Sequence, residues 1–216
     1  MIGSEAEARA FTASLCDEAA MERLERLAAL LIAENEHQNL IARATVDSLW
    51  QRHFADSAQL LHRVPRETGV WLDLGTGAGF PGLVIAAMRP EWHVRLVESR
   101  KRRVAWLEAA RDDALALTHC QVIGERLEQV ESFPAGVISA RAFAPMPRLL
   151  ELAQRFSTKQ TLWLLPKGRS AAQDLAALPK NRRALFHVEQ SLTDPTAGII
   201  IGGPVQHGRP EARQAS

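Results

Sequence analysis

The chain lacks a charge excess: 26 Lys and Arg are set against 25 Asp and Glu, a formal net charge of +1. Overall charge therefore neither supports nor excludes a nucleic-acid partner, and an RNA-binding face would have to be a local basic patch. Cysteine is scarce. Cys16 and Cys120 stand far apart in no paired motif, which argues against a disulfide framework or a Cys-based zinc site and fits a reducing cytosol. None of the seven histidines has a partner four residues away, and no metal is expected. No apolar run approaches the ~18 residues of a membrane span. The opening Met1-Ile2-Gly3-Ser4-Glu5 is acidic where a signal peptide is basic, so a cytoplasmic protein with no membrane partner is expected. Tyrosine is absent altogether, and nothing in the sequence supplies a physical reason.

What is present suffices for a full-sized core. Of the 216 residues 46% are apolar, enough for one domain with a modest appendage. Residues 4–37 place Leu24, Leu27, Leu30 and Leu31 at helical spacing among Glu and Arg, which predicts one or two amphipathic helices. Thr45 is expected to cap a third helix running to about Val64, where Pro65 stops it. From Val70 the pattern changes to short apolar runs alternating with helical ones. Strands are expected at Val70–Leu74, Val94–Val97, Gln121–Ile123, Val137–Ser139 and Leu162–Leu165. Helices are expected at Leu83–Met88 and Arg102–Leu117, with a short helical turn after the third strand. That alternation indicates a doubly wound, Rossmann-like α/β sheet, mostly parallel. Ala184–Val188 and Gly198–Ile201, joined by a turn through Asp194-Pro195, read as an antiparallel finish. The resulting division is a helical extension over 1–65, an α/β domain over 66–204 and a flexible, frayed tail over 205–216.

The strongest local signal is Asp73-Leu74-Gly75-Thr76-Gly77-Ala78-Gly79-Phe80-Pro81-Gly82. Alternating glycines let a backbone turn tightly and approach a ligand, and the helix behind them offers free N–H groups. A bare glycine pattern serves nicotinamide, flavin and adenosylmethionine proteins alike. Here Phe80 stands where a Gly-x-Gly-x-x-Gly frame needs its third glycine, and no Lys-Ser/Thr pair follows Gly82. Asp73 ends the first strand, and a carboxylate there suits a cationic cofactor better than a pyrophosphate. Glu98 ends the second strand, where an acidic side chain can accept from both ribose hydroxyls of an adenosine cofactor. The plainer alternative for Glu98 is a solvated charge ahead of a helix.

Several segments in order resemble the RsmG family, also called glucose-inhibited division protein B, whose members are 16S rRNA guanine-N7 methyltransferases. The glycine turn is similar to its signature. Arg52-His53-Phe54-Ala55-Asp56-Ser57 looks like a motif of its helical extension, and Glu98-Ser99-Arg100-Lys101-Arg102 like its second-strand end. Ser139-Ala140-Arg141-Ala142-Phe143-Ala144 resembles the segment after its fourth strand, with Ala140 inserted. Leu164-Leu165-Pro166-Lys167-Gly168 resembles the turn after its fifth. The similarity covers roughly residues 35–170. It implies a class I methyltransferase fold and S-adenosyl-L-methionine as cofactor. With Glu98, the implied cofactor contacts are Gly75, Phe80, Leu127, Glu128 and Arg141. Leu127 would cover the adenine, although plain core packing is an equal reading of it.

Arg100, Lys101, Arg102 and Arg103 form a basic cluster beside the expected cofactor edge, and Arg126, Arg141, Arg148 and Lys167 fall on loops at the same end of the sheet. Such a rim, with Arg100–Arg103 and Lys167 as its RNA contacts, would hold phosphates without reading sequence. A solvated helix start is the blander reading, but a cationic first turn opposes the helix dipole. His53 and Asp56 are expected to form a structural hydrogen-bonded pair rather than an acid–base couple. The sequence thus points to a monomeric enzyme that methylates N7 of a guanine in 16S rRNA, alone or within the 30S subunit, with no catalytic side chain. The competing readings are a methyltransferase of protein or a small metabolite, a nicotinamide-dependent oxidoreductase, and a cofactor-free RNA-binding module.

Overall fold

The computed structural model describes residues 1–65 and 68–203, so the expected frayed tail lies outside the described residues. Two helices open the chain, α1 (Glu5–Ala13) and α2 (Glu18–Asn35). Ser4 and Asp17 cap them by accepting from the N–H groups of Glu7 and Ala20. A third helical run, α3, follows as a π segment Trp50–Ala55, an α turn Asp56–Ala58 and a 3-10 segment Gln59–Arg63. Thr45 does not cap it. Thr45 sits in a separate 3-10 turn with its hydroxyl donating to the Ala42 carbonyl. The cap comes from α1 instead: the Glu5 carboxylate accepts from Trp50 N–H (2.9 Å) and Gln51 N–H (2.7 Å). A carboxylate suits that end of a helix.

The sheet has seven strands in the order β3-β2-β1-β4-β5-β7-β6. They are β1 (Trp71–Leu74), β2 (Val94–Val97), β3 (Cys120–Ile123), β4 (Ala135–Ala140), β5 (Ser157–Lys167), β6 (Phe186–Gln190) and β7 (Gly198–Gly202). Strands β1 to β5 pair in parallel, and β7 inserts antiparallel between β5 and β6. Strand β5 is longer than the apolar run suggested, because the polar Ser157-Thr158-Lys159-Gln160 extends it. Strand β6 starts two residues later than expected, because a short helix, Lys180–Arg183, uses Ala184 as its cap. Helices α4 (Gly82–Met88) and α5 (Lys101–Ala109, continued by a π turn Ala110–Ala114) connect the first strands. The sequence reading missed α6 (Met146–Ala153).

Alternation along β1 separates two cores. Trp71 joins Leu24, Leu31, Phe54 and Ile85 on the face covered by the N-terminal helices and α4. Leu72 and Leu74 join Ile138, Leu149, Phe156 and Leu165 on the other. No described helix is long and apolar enough to cross a membrane. The strand order reverses between β2-β1 and β4, which leaves a crevice at the carboxyl ends of β1 and β4.

Gly82, the first residue of α4, permits that helix to lie directly on β1 and β2. A Cβ there would overlap the Leu96 side chain and stand 2.7 Å from the Asp73 Cβ. Gly82→Ala should therefore destabilise the protein by about 1–3 kcal/mol through overpacking, read as a lower urea midpoint.

Candidate active site

The glycine turn is organised by Asp73. This side chain is fully buried, on the α4 side of the sheet. Its Oδ1 accepts from Ser139 Oγ on β4 (2.6 Å), and its Oδ2 accepts from the Thr76 hydroxyl and from Gly82 N–H (3.0 Å). Ser139 Oγ in turn accepts from Trp71 Nε1 at 2.8 Å. The expectation that Asp73 offers its charge to a cationic ligand is thus corrected: its acceptors are spent on the turn and the first helical N–H. Gly75 follows at φ +62, and the Phe143 ring lies across the space its Cβ would fill.

Beyond Gly75 opens a cavity of about 440 Å³ at the ends of β1 to β4. It gathers Gly75, Glu98, Leu127 and Glu128, four of the six residues assigned to a cofactor. Glu98 is 6% exposed. Its Oε1 accepts from Ser99 N–H (2.8 Å) and Arg100 N–H (2.9 Å), and Oε2 accepts from Gly77 N–H (3.1 Å). Glu98 therefore does hold the start of α5, and its remaining acceptor capacity is on Oε2. That fits one ligand hydroxyl rather than the two expected. Leu127 is buried and apolar beside it, while Glu128 is exposed and paired with Arg148 at 3.1 Å. The buried Glu98 carboxylate and the apolar side chains of Leu127 and Phe143 suit the ribose and base of a nucleoside.

Phe80 and Arg141 are not among the residues lining that cavity. Phe80 is buried behind the turn, stacked on His53 with ring centroids 4.9 Å apart. The Arg141 guanidinium lies over the Phe80 ring at 5.0 Å and lines a second cavity of about 380 Å³ between the ends of β4, β5 and β7 and α3. Ala142, at φ +54, borders both cavities. In the second cavity Arg141 Nη2 is 3.0 Å from His53 Nδ1, and Arg141 Nη1 is 3.6 Å from Asp56 Oδ2. Burial, aided by Arg141 and Arg52, pushes His53 down to about 3. The ring is neutral, so Nδ1 accepts from Arg141 while Nε2–H donates to Thr45 Oγ1 at 2.9 Å. His53 and Asp56 are not bonded to each other as expected. Arg141 stands between them, because residues three apart on α3 both face the end of β4.

The basic rim is narrower than the sequence suggested. Arg100 and Lys101 are exposed at the start of α5, and Arg102 donates to the His37 carbonyl at 3.0 Å. Arg103 turns inward, 4.0 Å from Glu98 Oε2, and lines the first cavity. Lys167 is only 10% exposed, with Nζ 3.3 Å from Asp174, so it belongs to the wall of the second cavity rather than to a phosphate rim. Arg148 lies on α6, held by Glu128 and Glu151. Sequence reasoning missed Arg103 as a cavity residue, and it missed the ion pairs Arg52–Asp194 and Lys167–Asp174. The only signal for Arg103 was its place one turn into the helix after Glu98.

Burial raises the Asp73 carboxyl to about 6, outweighing the hydrogen bonds from Ser139, Thr76 and Gly82 that lower it. The folded state then holds the proton more tightly than the unfolded chain, whose carboxyl keeps the ordinary 3.8. Stability falls as pH rises from about 4 to about 6 and is level above that. Asp73→Asn has no such titration. Urea melts of both proteins should show the wild type losing stability relative to the variant across that window; a constant difference would refute the shift.

A family model described as "GidB: rRNA small subunit methyltransferase G" matches residues 20–197. The Ribosomal RNA small subunit methyltransferase G of Erythrobacter litoralis is 59% identical over 202 residues, 94% of this chain and 97% of its own. Its namesake from Novosphingobium aromaticivorans is 56% identical over 204 residues, 92% and 88% of the two chains. Among solved structures, a fibrillarin/Nop5p complex aligns with a TM-score of 0.55 at 14% identity, over 71% of this chain and 81% of its own. A mutant of MtNAS in complex with S-adenosylmethionine aligns with a TM-score of 0.52 at 14% identity, over 93% and 78%. These two share the fold alone. The family match spans the glycine turn and most of the wall of the second cavity, and the chain belongs to the rRNA small subunit methyltransferase G family.

Proposed function

We infer that the chain is an S-adenosylmethionine-dependent methyltransferase of small-subunit ribosomal RNA, and that its acceptor atom is N7 of a guanine in 16S rRNA. The observation that carries this reading is the first cavity, with the buried Glu98 carboxylate facing Leu127 at the point where strand order reverses. The names of the relatives supply the substrate class, and the resemblance noted above supplies the atom. Family membership sets aside the nicotinamide and cofactor-free readings.

S-adenosylmethionine supplies an activated methyl group on a sulfonium. The chain's residues bind and orient. With the cofactor bound, Glu98 Oε2 would accept from the ribose, Leu127 would cover the adenine, and Gly75 would leave the end of β1 free of a side chain on the cavity side. Arg103 adds positive charge near Glu98, where it fixes the carboxylate or meets the cofactor's own carboxylate. Phe80 and Arg141 support the turn from behind, and Ala142 stands between the two cavities. Guanine N7 has an in-plane lone pair and no proton at neutral pH, so no side chain has to act as a base. His53 agrees with this: it is neutral, its Nδ1 is occupied by Arg141, and its titration lies far below neutrality. Positioning therefore carries the reaction.

The test is methyl transfer from labelled cofactor to 30S subunits that lack endogenous modification, followed by mapping of the modified base. Glu98→Ala should lower cofactor affinity about tenfold or more, the loss of a charge-assisted hydrogen bond, while circular dichroism stays native. Unchanged affinity in a calorimetric titration would remove Glu98 from the site.

The exposed part of the rim should act on RNA alone. Lys101→Glu with Arg102→Glu should weaken RNA binding and lower the magnitude of its log–log salt slope by about 1.5–2, with cofactor affinity unchanged. An unaltered slope would make the cluster a solvated helix start.

A further inference from the structure

The second cavity carries more charge than a structural seam needs, and the charge is balanced. Arg52 is paired with Asp194 at 2.7 Å, Lys167 with Asp174 at 3.3 Å, and Arg141 faces Asp56 at 3.6 Å. A phosphate pocket would leave its cations open to the anion. Here each cation meets a carboxylate, so the cavity favours a neutral ligand with both donors and acceptors. A nucleobase is such a ligand, and a cavity of about 380 Å³ has room for one.

One acceptor in this wall is unfilled. Asp56 Oδ1 accepts from Gln59 Nε2 (2.8 Å) and Thr193 Oγ1 (2.9 Å), which fixes the carboxylate's orientation. No hydrogen bond reaches Oδ2 among the described residues; the Arg141 guanidinium faces it at 3.6 Å, too long for one. The side chain is 19% exposed, half-buried in the cavity wall. Burial raises its pKa, and Arg141, Thr193 and Arg52 oppose that rise. Oδ2 is open to the cavity, so a ligand that displaces solvent from it has to supply a donor in its place.

Resting on the function inferred above, we propose that Asp56 reads the target base, the two lone pairs of Oδ2 accepting from N1–H and N2–H of guanine. The two N–H bonds lie parallel on the Watson–Crick edge, close enough to share one acceptor oxygen. Adenine puts a lone pair at the same place and is repelled. A base unstacked from RNA is commonly read on this edge. N7 lies on the opposite side of the purine. With the Watson–Crick edge held at Asp56, N7 is directed out of the second cavity, and Ala142 is the shared border across which the methyl group is met.

The test uses the whole protein and unmodified 30S subunits reconstituted with 16S rRNA that carries guanosine or inosine at the methylated position. Inosine keeps N7 and N1–H and lacks the 2-amino group. Wild type should lose about tenfold or more in kcat/KM on inosine, the worth of one charge-assisted hydrogen bond. Asp56→Asn should be slow on guanosine and should discriminate between the two bases by no more than about threefold. Equal wild-type rates on guanosine and inosine would overturn the assignment whether or not the variant folds. So would an undiminished guanosine preference in a folded Asp56→Asn protein. A wild type inert on both RNAs would instead overturn the inferred function, and this assignment with it.

Discussion

The Asp73 carboxylate is the interaction on which the rest of the structure depends. It joins the end of β1, which carries it, to Thr76 in the glycine turn and the first N–H of α4 nearby in sequence, and to Ser139 on β4, 66 positions away. An uncompensated buried charge is costly, and here the donors that compensate it are the elements that must come together to form the crevice. The arrangement fixes where β1 ends, how sharply the chain leaves it and how close α4 comes. Gly82 completes it, since any side chain there would push the helix and its N–H away from the carboxylate. With the turn fixed this way, Glu98 on the neighbouring strand can hold Gly77 N–H and still face the cavity.

Much of this was legible in the sequence. Strand and helix order followed from apolar periodicity, a local property, and the alternation Trp71, Leu72, Asp73, Leu74 marked a strand buried on both sides. Gly75, Glu98, Leu127 and Glu128 do meet in one cavity. What local pattern could not convey was partnership across distance. Arg141 reaches back to His53 and Asp56, 88 and 85 positions earlier, and a guanidinium read as a cofactor ligand proves to be the link between the extension and the sheet. Lys167 looked like a rim cation because Asp174, one short loop away, carries no visible mark of pairing. The role given to Thr45 failed for the same reason: the true cap, Glu5, is on another helix.

The two cavities divide the work by their chemistry. One has an acidic floor and an apolar side, the other has alternating ion pairs and a neutral imidazole. Between them stands a single alanine with positive φ, a conformation that non-glycine residues adopt at a cost and that is retained where surrounding structure over-determines it. A methyl is the smallest side chain that can still separate two ligands there. Anything larger would lengthen the path between them.

Beside the second cavity the start of the chain meets the connection between β6 and β7. Ile2 N–H donates to the Leu192 carbonyl at 2.7 Å, and Gln51 Nε2 bridges the carbonyls of Ile2 and Thr193. Glu5 holds the start of the helix that bears His53 and Asp56. Contacts spanning nearly the whole polypeptide close the largest loops, so they carry the greatest entropic cost and form after the local ones. The helix that bears His53 and Asp56 is therefore moored to the start of the chain and to the β6–β7 connection, and a change at Glu5 or Gln51 would reach the second cavity without touching the glycine turn.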